Sequence, residues 1–429
     1  MSLFKNRPAD IVLVFSLIAV STIPFFKSPI GVFLAIICIL YLNKNIISTI
    51  TMETSLFLLI VFILEIYHAT TFRNYEDWVV KQILLFFFIS MFVIYYLKLD
   101  FLNIYIRIMY SITLISFVFY FIYLISPSLI IGFANSMPSL FSKNFRIYDD
   151  MYERVNPIIY NFDHNFYKGR NNGPFWEPTV FASLLLIGQI FNLLINKIIF
   201  NKIGIVFSIG ILTTLSTTVF IAYFILLVSY FLIDSRFKIT YKISLLFVSV
   251  IIGSYLFANL SFLEEKINTE FSEIDNNIDK RGDSRMASAL LDLSEVKQEN
   301  IFLLLGKGSG KYSRIGATDK DVIRNCGLTA LLVEWGIPFF LLYVGLLFYS
   351  FYKLTKYYQI NTLFSFTFTF IILLMSFSEV FLDLPLFHSL IFIGLMMKRY
   401  YKDRHYIPTS YVVRSEIDIQ HQFYNKQLS

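Results

Sequence analysis

Long apolar runs follow one another along almost the whole chain, broken by two polar stretches. The runs fall at about 9–26, 29–43, 54–72, 78–97, 104–126, 177–196, 199–215, 217–233, 241–259, 326–352, 362–380 and 385–399. A helix that crosses a bilayer needs about 20 mainly apolar residues. The pattern therefore predicts an all-α polytopic membrane protein with about twelve transmembrane helices. The runs at 29–43 and 385–399 are short for a span, and 199–215 carries glycines. The polar stretches, 127–176 and 260–325, become two large extracytoplasmic inserts. Helices 1–5 are expected in 1–126, helices 6–9 in 177–259 and helices 10–12 in 326–400, with a cytoplasmic tail at 401–429.

Each insert has its own pattern. In the second, Met286, Ala289, Leu290, Leu293 and Val296 recur at steps of three and four. That spacing predicts a helix over 284–304 with Asp283 or Ser284 as its N-cap. The first insert opens with an apolar, proline-containing piece, 127–141, expected to lie along the membrane surface. A piece rich in Tyr, Asn and charge follows, and includes Arg146, Asp149, Asp150, Glu153, Asp163 and His164. Aromatic faces beside hydrogen-bonding groups suit a carbohydrate. The insert closes on Gly169-Arg170-Asn171-Asn172-Gly173-Pro174-Phe175-Trp176-Glu177-Pro178. Proline suits a first helical turn, which sets Glu177 at the N-terminus of the sixth span, either as a helix cap or as a functional carboxylate.

Composition excludes a soluble domain. Of 429 residues, 56% are hydrophobic and 18% aromatic, with a mean hydropathy of +0.64. Charged residues make up 15%, against about 25% in soluble domains. Lysines and arginines set the orientation. With the N-terminus inside, Lys5, Arg7, Lys44, Lys98, Lys197, Lys202, Arg236, Lys238, Lys242, Lys353, Lys356, Lys398, Arg399, Lys402 and Arg404 are cytoplasmic. The short outer turns hold little beyond Lys27 and Arg73, and both inserts fall outside. The net charge of +6 then reflects cytoplasmic anchoring, and no nucleic-acid partner is expected. No cleavable signal is evident, because the first apolar run lacks a small-residue cleavage site. Cys38 and Cys326 form neither a disulfide framework nor a zinc spacing.

The candidate chemistry is concentrated in the inserts. Arg170, Arg281, Arg285, Arg314 and Arg324 bring guanidinium groups to one side of the membrane, and arginine grips phosphate oxygens in a forked geometry. A lipid-linked pyrophosphate fits them; so do headgroup contacts, or ion pairs with the neighbouring carboxylates. The run Gly306-Lys307-Gly308-Ser309-Gly310-Lys311 lacks the spacing of a Walker phosphate loop, although a glycine turn can still offer backbone amides to an anion. Leu215-Ser216-Thr217-Thr218 predicts a tight turn with capping hydroxyls. Glu65 and His68, one turn apart near the outer end of the third span, are intramembrane ionisable groups and so functional candidates, or snorkelling groups.

Taken together, the 173–178 entry, the 215–218 turn, Asp283-Ser284-Arg285, Leu305–Gly310 and Leu331-Leu332-Val333-Glu334-Trp335-Gly336-Ile337 resemble the O-antigen polymerase (Wzy) family of bacterial membrane glycosyltransferases. The resemblance implies a GT-C-like enzyme of the bacterial cytoplasmic (inner) membrane. It would move a growing glycan from its lipid carrier to the terminal hydroxyl of a new undecaprenyl-pyrophosphate-linked oligosaccharide. It implies the bilayer, a chain-length regulator and a flippase as partners, and no cofactor or metal. Related O-antigen ligases use a histidine in the second insert, and this chain has none between Asn165 and Phe387, which favours polymerase over ligase. The chemistry needs the pyrophosphate held and the attacking hydroxyl deprotonated. Arg285 and Arg281 with Arg170 are the expected pyrophosphate ligands, supported by Arg314 or Arg324. Glu177, then Glu295, then His164 are the candidate bases. A flippase-like transporter is the alternative from another class, but the predicted spans hold few midplane charges and no internal repeat.

Overall fold

The computed structural model of the chain describes residues 7–23, 26, 51–72, 78–136, 159–161, 169–233, 238, 240, 242–244, 285–297, 300–308 and 326–401. Every regular element among these residues is a helix. In chain order they are α1 (Pro8–Thr22), α2 (Met52–Phe72), α3 (Trp78–Leu97), α4 (Asp100–Ile125), α5 (Pro127–Ser136), α6 (Pro178–Asn196), α7 (Lys202–Thr214), α8 (Thr217–Ile233), α9 (Arg285–Val296), α10 (Asn300–Leu305), α11 (Gly327–Tyr357), α12 (Phe364–Ser378) and α13 (Pro385–Tyr400). Helices lie over each predicted apolar run that falls within the described residues. The run at 29–43 and nearly all of 241–259 lie outside them. Four of these helices (α2, α4, α6 and α11) are long and apolar enough to cross a membrane.

The bundle is built around α6. A helix that is apolar all round must be surrounded, and every residue of α6 from Pro178 to Leu194 is buried. Helices α4, α7 and α8 pack on it, and the Tyr105 hydroxyl of α4 donates to the Leu184 carbonyl at 2.9 Å. A second group centres on α11, held between α12 and α13, with α3 on the far side of α13. There Phe87 stacks on His388 with ring centres 3.8 Å apart. Helix α8 joins the two groups by packing on both α6 and α12.

The two ends of the bundle differ in charge. Lys98, Lys197, Lys202, Lys353, Lys356, Lys398 and Arg399 all sit at the end where α3, α6, α11 and α13 finish. Contacts tie that end together: the Lys98 ammonium lies 4.2 Å from the centre of the Tyr400 ring, and Lys398 pairs with Glu53 at 2.6 Å. The first residues of α6, α9, α11 and α13 and the last of α12 lie at the opposite end, called here the insert end.

The inserts fold differently from their sequence pattern. The helix expected over 284–304 is two helices, α9 and α10, and its expected N-caps lie outside the described residues. Helix α9 does not bury its whole apolar stripe. Ala287, Ser288, Ala289, Asp292, Glu295 and Val296 are buried against α11, whereas Met286, Leu290 and Leu293 stay 36–42% exposed. A polar residue on this face has a partner on α11: the Thr329 hydroxyl donates to Asp292 at 2.6 Å.

Candidate functional site

The site begins at the N-terminus of α6. Glu177 is its N-cap residue, with extended backbone, and Pro178 fills the first helical position. The Glu177 side chain makes no capping hydrogen bond to α6, so the cap reading of this residue falls. Its carboxyl is still well placed, because a helix N-terminus favours negative charge. The turn that leads to it is fixed from both sides. The Asn161 N–H donates to the Gly173 carbonyl at 2.6 Å, its amide donates to the Phe175 carbonyl at 2.7 Å, and the Phe175 ring packs on Phe181.

The Glu177 carboxyl meets Glu379, the residue that caps the C-terminus of α12. The two carboxyls lie close enough for the charge of one to act on the other. Glu379 also pairs with Arg285, guanidinium to Oε1 at 3.2 Å. Arg285 starts α9, where the helix dipole opposes a cation. It turns instead to the carbonyl end of α12, and its Nε donates to the Ser378 carbonyl at 2.6 Å. Both partners of the ion pair remain partly exposed, at 25% and 19% of their side chains. Glu177 from the edge of the first insert and Arg285 from the second therefore converge on one acid.

Arg170 lies on the same rim in a different role. Helix α7 ends at Leu215 in the left-handed conformation, which leaves its last carbonyls outside the helical ladder. The first insert takes them: the Arg170 Nε donates to Thr214 O at 2.8 Å and the Asn171 N–H to Thr213 O at 3.0 Å. The turn after Leu215 holds Ser216, whose hydroxyl lies 3.3 Å from that of Thr179 on α6. Arg170 thus caps α7 while its guanidinium stays partly exposed.

Glu295 stands apart. Ten residues of α9 separate it from Arg285, about 15 Å at a helical rise of 1.5 Å per residue. It is fully buried, and the ammonium of Lys307 approaches its Oε2 at 4.0 Å. Nor does the glycine turn cradle an anion between residues 306 and 308. The Lys307 N–H donates to Val333 O at 2.8 Å and the Gly308 N–H to Glu334 O at 2.9 Å. Those carbonyls are available because α11 is broken: Gly336 has φ 78° and ψ 167°, and Pro338 lacks the N–H that would serve Glu334. His68 supports the same turn, its Nε2–H donating to Leu305 O at 2.8 Å. Glu65 and His68 are buried at 4% and 1% exposure, so neither snorkels. His164, Arg281, Arg314 and Arg324 lie outside the described residues.

Glu379 is the member of this site that sequence reasoning did not single out. Its signal was the helix-ending Ser378-Glu379 step, a carboxylate placed where the dipole disfavours it. Comparison of the chain with protein-family models, with curated proteins and with solved structures returns no match.

Proposed function

We propose that the protein is a membrane-embedded glycosyltransferase that polymerises undecaprenyl-pyrophosphate-linked oligosaccharide repeat units of the O-antigen or capsule type. On this reading it is a GT-C-like bundle of about twelve spans in the bacterial cytoplasmic membrane, with the insert end facing outward. The observation that carries the reading is the meeting of Glu177, Glu379 and Arg285 on one partly exposed rim. A fixed cation beside a base is what transfer from a lipid diphosphate needs.

The hydroxyl of the newly arrived unit attacks the anomeric carbon of the growing chain. A new C–O bond forms as the bond to the diphosphate breaks, and the diphosphate leaves with the electron pair. Glu177 takes the hydroxyl proton. Arg285, with its forked donors, offsets the charge that collects on the diphosphate.

Arg285→Ala tests this directly. A charge-stabilising donor of this kind contributes about 2–4 kcal/mol to the transition state, so polymerisation should fall roughly 30- to 1,000-fold. Mass spectrometry of lipid-linked intermediates and of the finished glycan reads the result. Single repeat units in place of polymer are expected. Unchanged polymer length and yield would refute the assignment, and polymer retained on its lipid carrier would mark a ligase instead.

A further inference from the structure

Helix α9 is amphipathic in the sense opposite to a helix in water. At about 100° per residue, Ser288, Asp292 and Glu295 share one face, and Met286, Leu290, Leu293 and Lys297 share the other. The polar face is the buried one: Asp292 accepts from Thr329 at 2.6 Å, and Lys307 approaches Glu295 at 4.0 Å. The apolar face is the exposed one. A surface helix in water turns its leucines to the core and its charges outward. The reverse arrangement suits hydrocarbon, where polar groups must find partners inside the protein. The exposed face also continues beyond α9. Helix α10 packs on α9 and α11 and exposes Ile301 and Leu304. The Leu304 carbonyl oxygen lies 2.5 Å from where a Cβ on Gly336 would stand, so Leu304 adjoins the break in α11. Just past that break Ile337, Leu341 and Leu342 are exposed in turn, on a helix long and apolar enough to cross a membrane. Apolar surface therefore runs from the flank of a candidate span onto both short helices. At the far end of α9, Lys297 is exposed on the same face as the leucines. A lysine there keeps its stem among apolar groups and its ammonium at headgroup phosphates.

We infer that α9 and α10 lie in the bilayer interface. Leu290, Leu293, Ile301 and Leu304 sit among the acyl chains of the leaflet at the insert end, and Lys297 meets its headgroups. The occupant of this face is bilayer lipid, because the face is continuous with the exposed flank of α11 and ends in a cation. The placement depends on the membrane character of the bundle and not on the reaction proposed above. It bears on that reaction through Arg285, the first residue of α9. A helix lying in the interface holds its first residue near headgroup depth, the level at which a lipid-linked diphosphate is carried.

Spin labelling tests the placement on the full-length protein, with Cys38 replaced by serine, in nanodiscs of phosphatidylcholine. The label is carried in turn by Leu290→Cys, Leu293→Cys and Leu304→Cys, with Lys202→Cys, an exposed position, as the aqueous reference. Power saturation reads collisions with oxygen, which concentrates among acyl chains, and with a nickel chelate, which stays in water. At the three leucine positions nickel accessibility should be several-fold lower than at Lys202, and oxygen accessibility higher. Nickel accessibility equal to that at Lys202 would mark a face in water and overturn the inference. Low accessibility to both reagents would mark a face covered by another part of the chain or by a second copy, and would overturn it equally. A second readout needs no label: the tryptophans added in Leu290→Trp and Leu293→Trp should be quenched more by chain-brominated phosphatidylcholine than by aqueous iodide. The opposite order would refute the placement. None of these variants alters Arg285, so a failure here leaves the proposed reaction to be decided by Arg285→Ala.

Discussion

A buried charge gains its meaning from its nearest partner. Glu295 and Lys307 show this: a carboxylate with no exposed side-chain surface and an ammonium with 7% lie 4.0 Å apart. The Lys307 ammonium also lies 5.0 Å from the centre of the Phe302 ring. Each ion is tolerable because the other is present. Lys307→Met should cost about 3–5 kcal/mol, since it removes the ammonium that approaches the buried Glu295 carboxylate. Glu295→Leu with Lys307→Met should recover most of that loss. Thermal unfolding of the purified protein in detergent checks both, and a double variant no more stable than the single one would refute the pairing. Glu177 is the contrasting case. Its side chain makes no capping hydrogen bond to the helix that it begins.

At the scale of elements, the informative feature is the break in α11. Gly336 adopts a backbone conformation essentially confined to glycine, and the strain would not persist without the segment docked on it. A Cβ built at Gly336 would lie 2.5 Å from the Leu304 carbonyl oxygen, and one at Gly306 would lie 2.2 Å from that of Glu334. The close approach lets residues 306–308 complete the ladder that Pro338 interrupts. Gly336→Ala should therefore destabilise by about 1–3 kcal/mol from backbone strain alone, and the clash adds to that. Hydrogen exchange of the Lys307 and Gly308 amides should rise in this variant; protection equal to wild type would show that the turn is held elsewhere. The motif resembles a phosphate loop only in composition. Its described amides serve a broken helix.

Across the whole molecule, charge sorts to one end. Lys98, Lys197, Lys202, Lys353, Lys356, Lys398 and Arg399 gather at the end opposite Glu177, Arg285 and Glu379, the asymmetry that the positive-inside rule associates with orientation. Cysteine scanning tests it in a chain with Cys38 replaced by serine. Cys326 is suited to remain, because it is fully buried. Cysteines placed at Gly169 and Asn300 should react with an impermeant reagent from the same side of the membrane. One placed at Lys202 should react from the other side. Labelling of all three from one side would rule out the bundle polarity derived from helix direction.

Helix positions were legible in the sequence because apolar runs of spanning length leave the backbone one way to satisfy its hydrogen bonds in lipid. The predicted boundaries at 78–97 and 217–233 coincide with α3 and α8. Glu177 and Arg285 were legible as candidates for a similar local reason: a proline after an acid, and an arginine where a helix starts. Periodicity could not say which side of α9 turns inward, since the choice depends on Thr329 and Lys307, which are remote in sequence. Nor could it foresee that Glu379, at the end of a different helix and about 200 positions from Glu177, stands between the two inserts. Local pattern sets which residues form helices and where chain polarity changes; the meeting of carboxyls and guanidinium is a property of packing, where distant helix ends offset one another's charge.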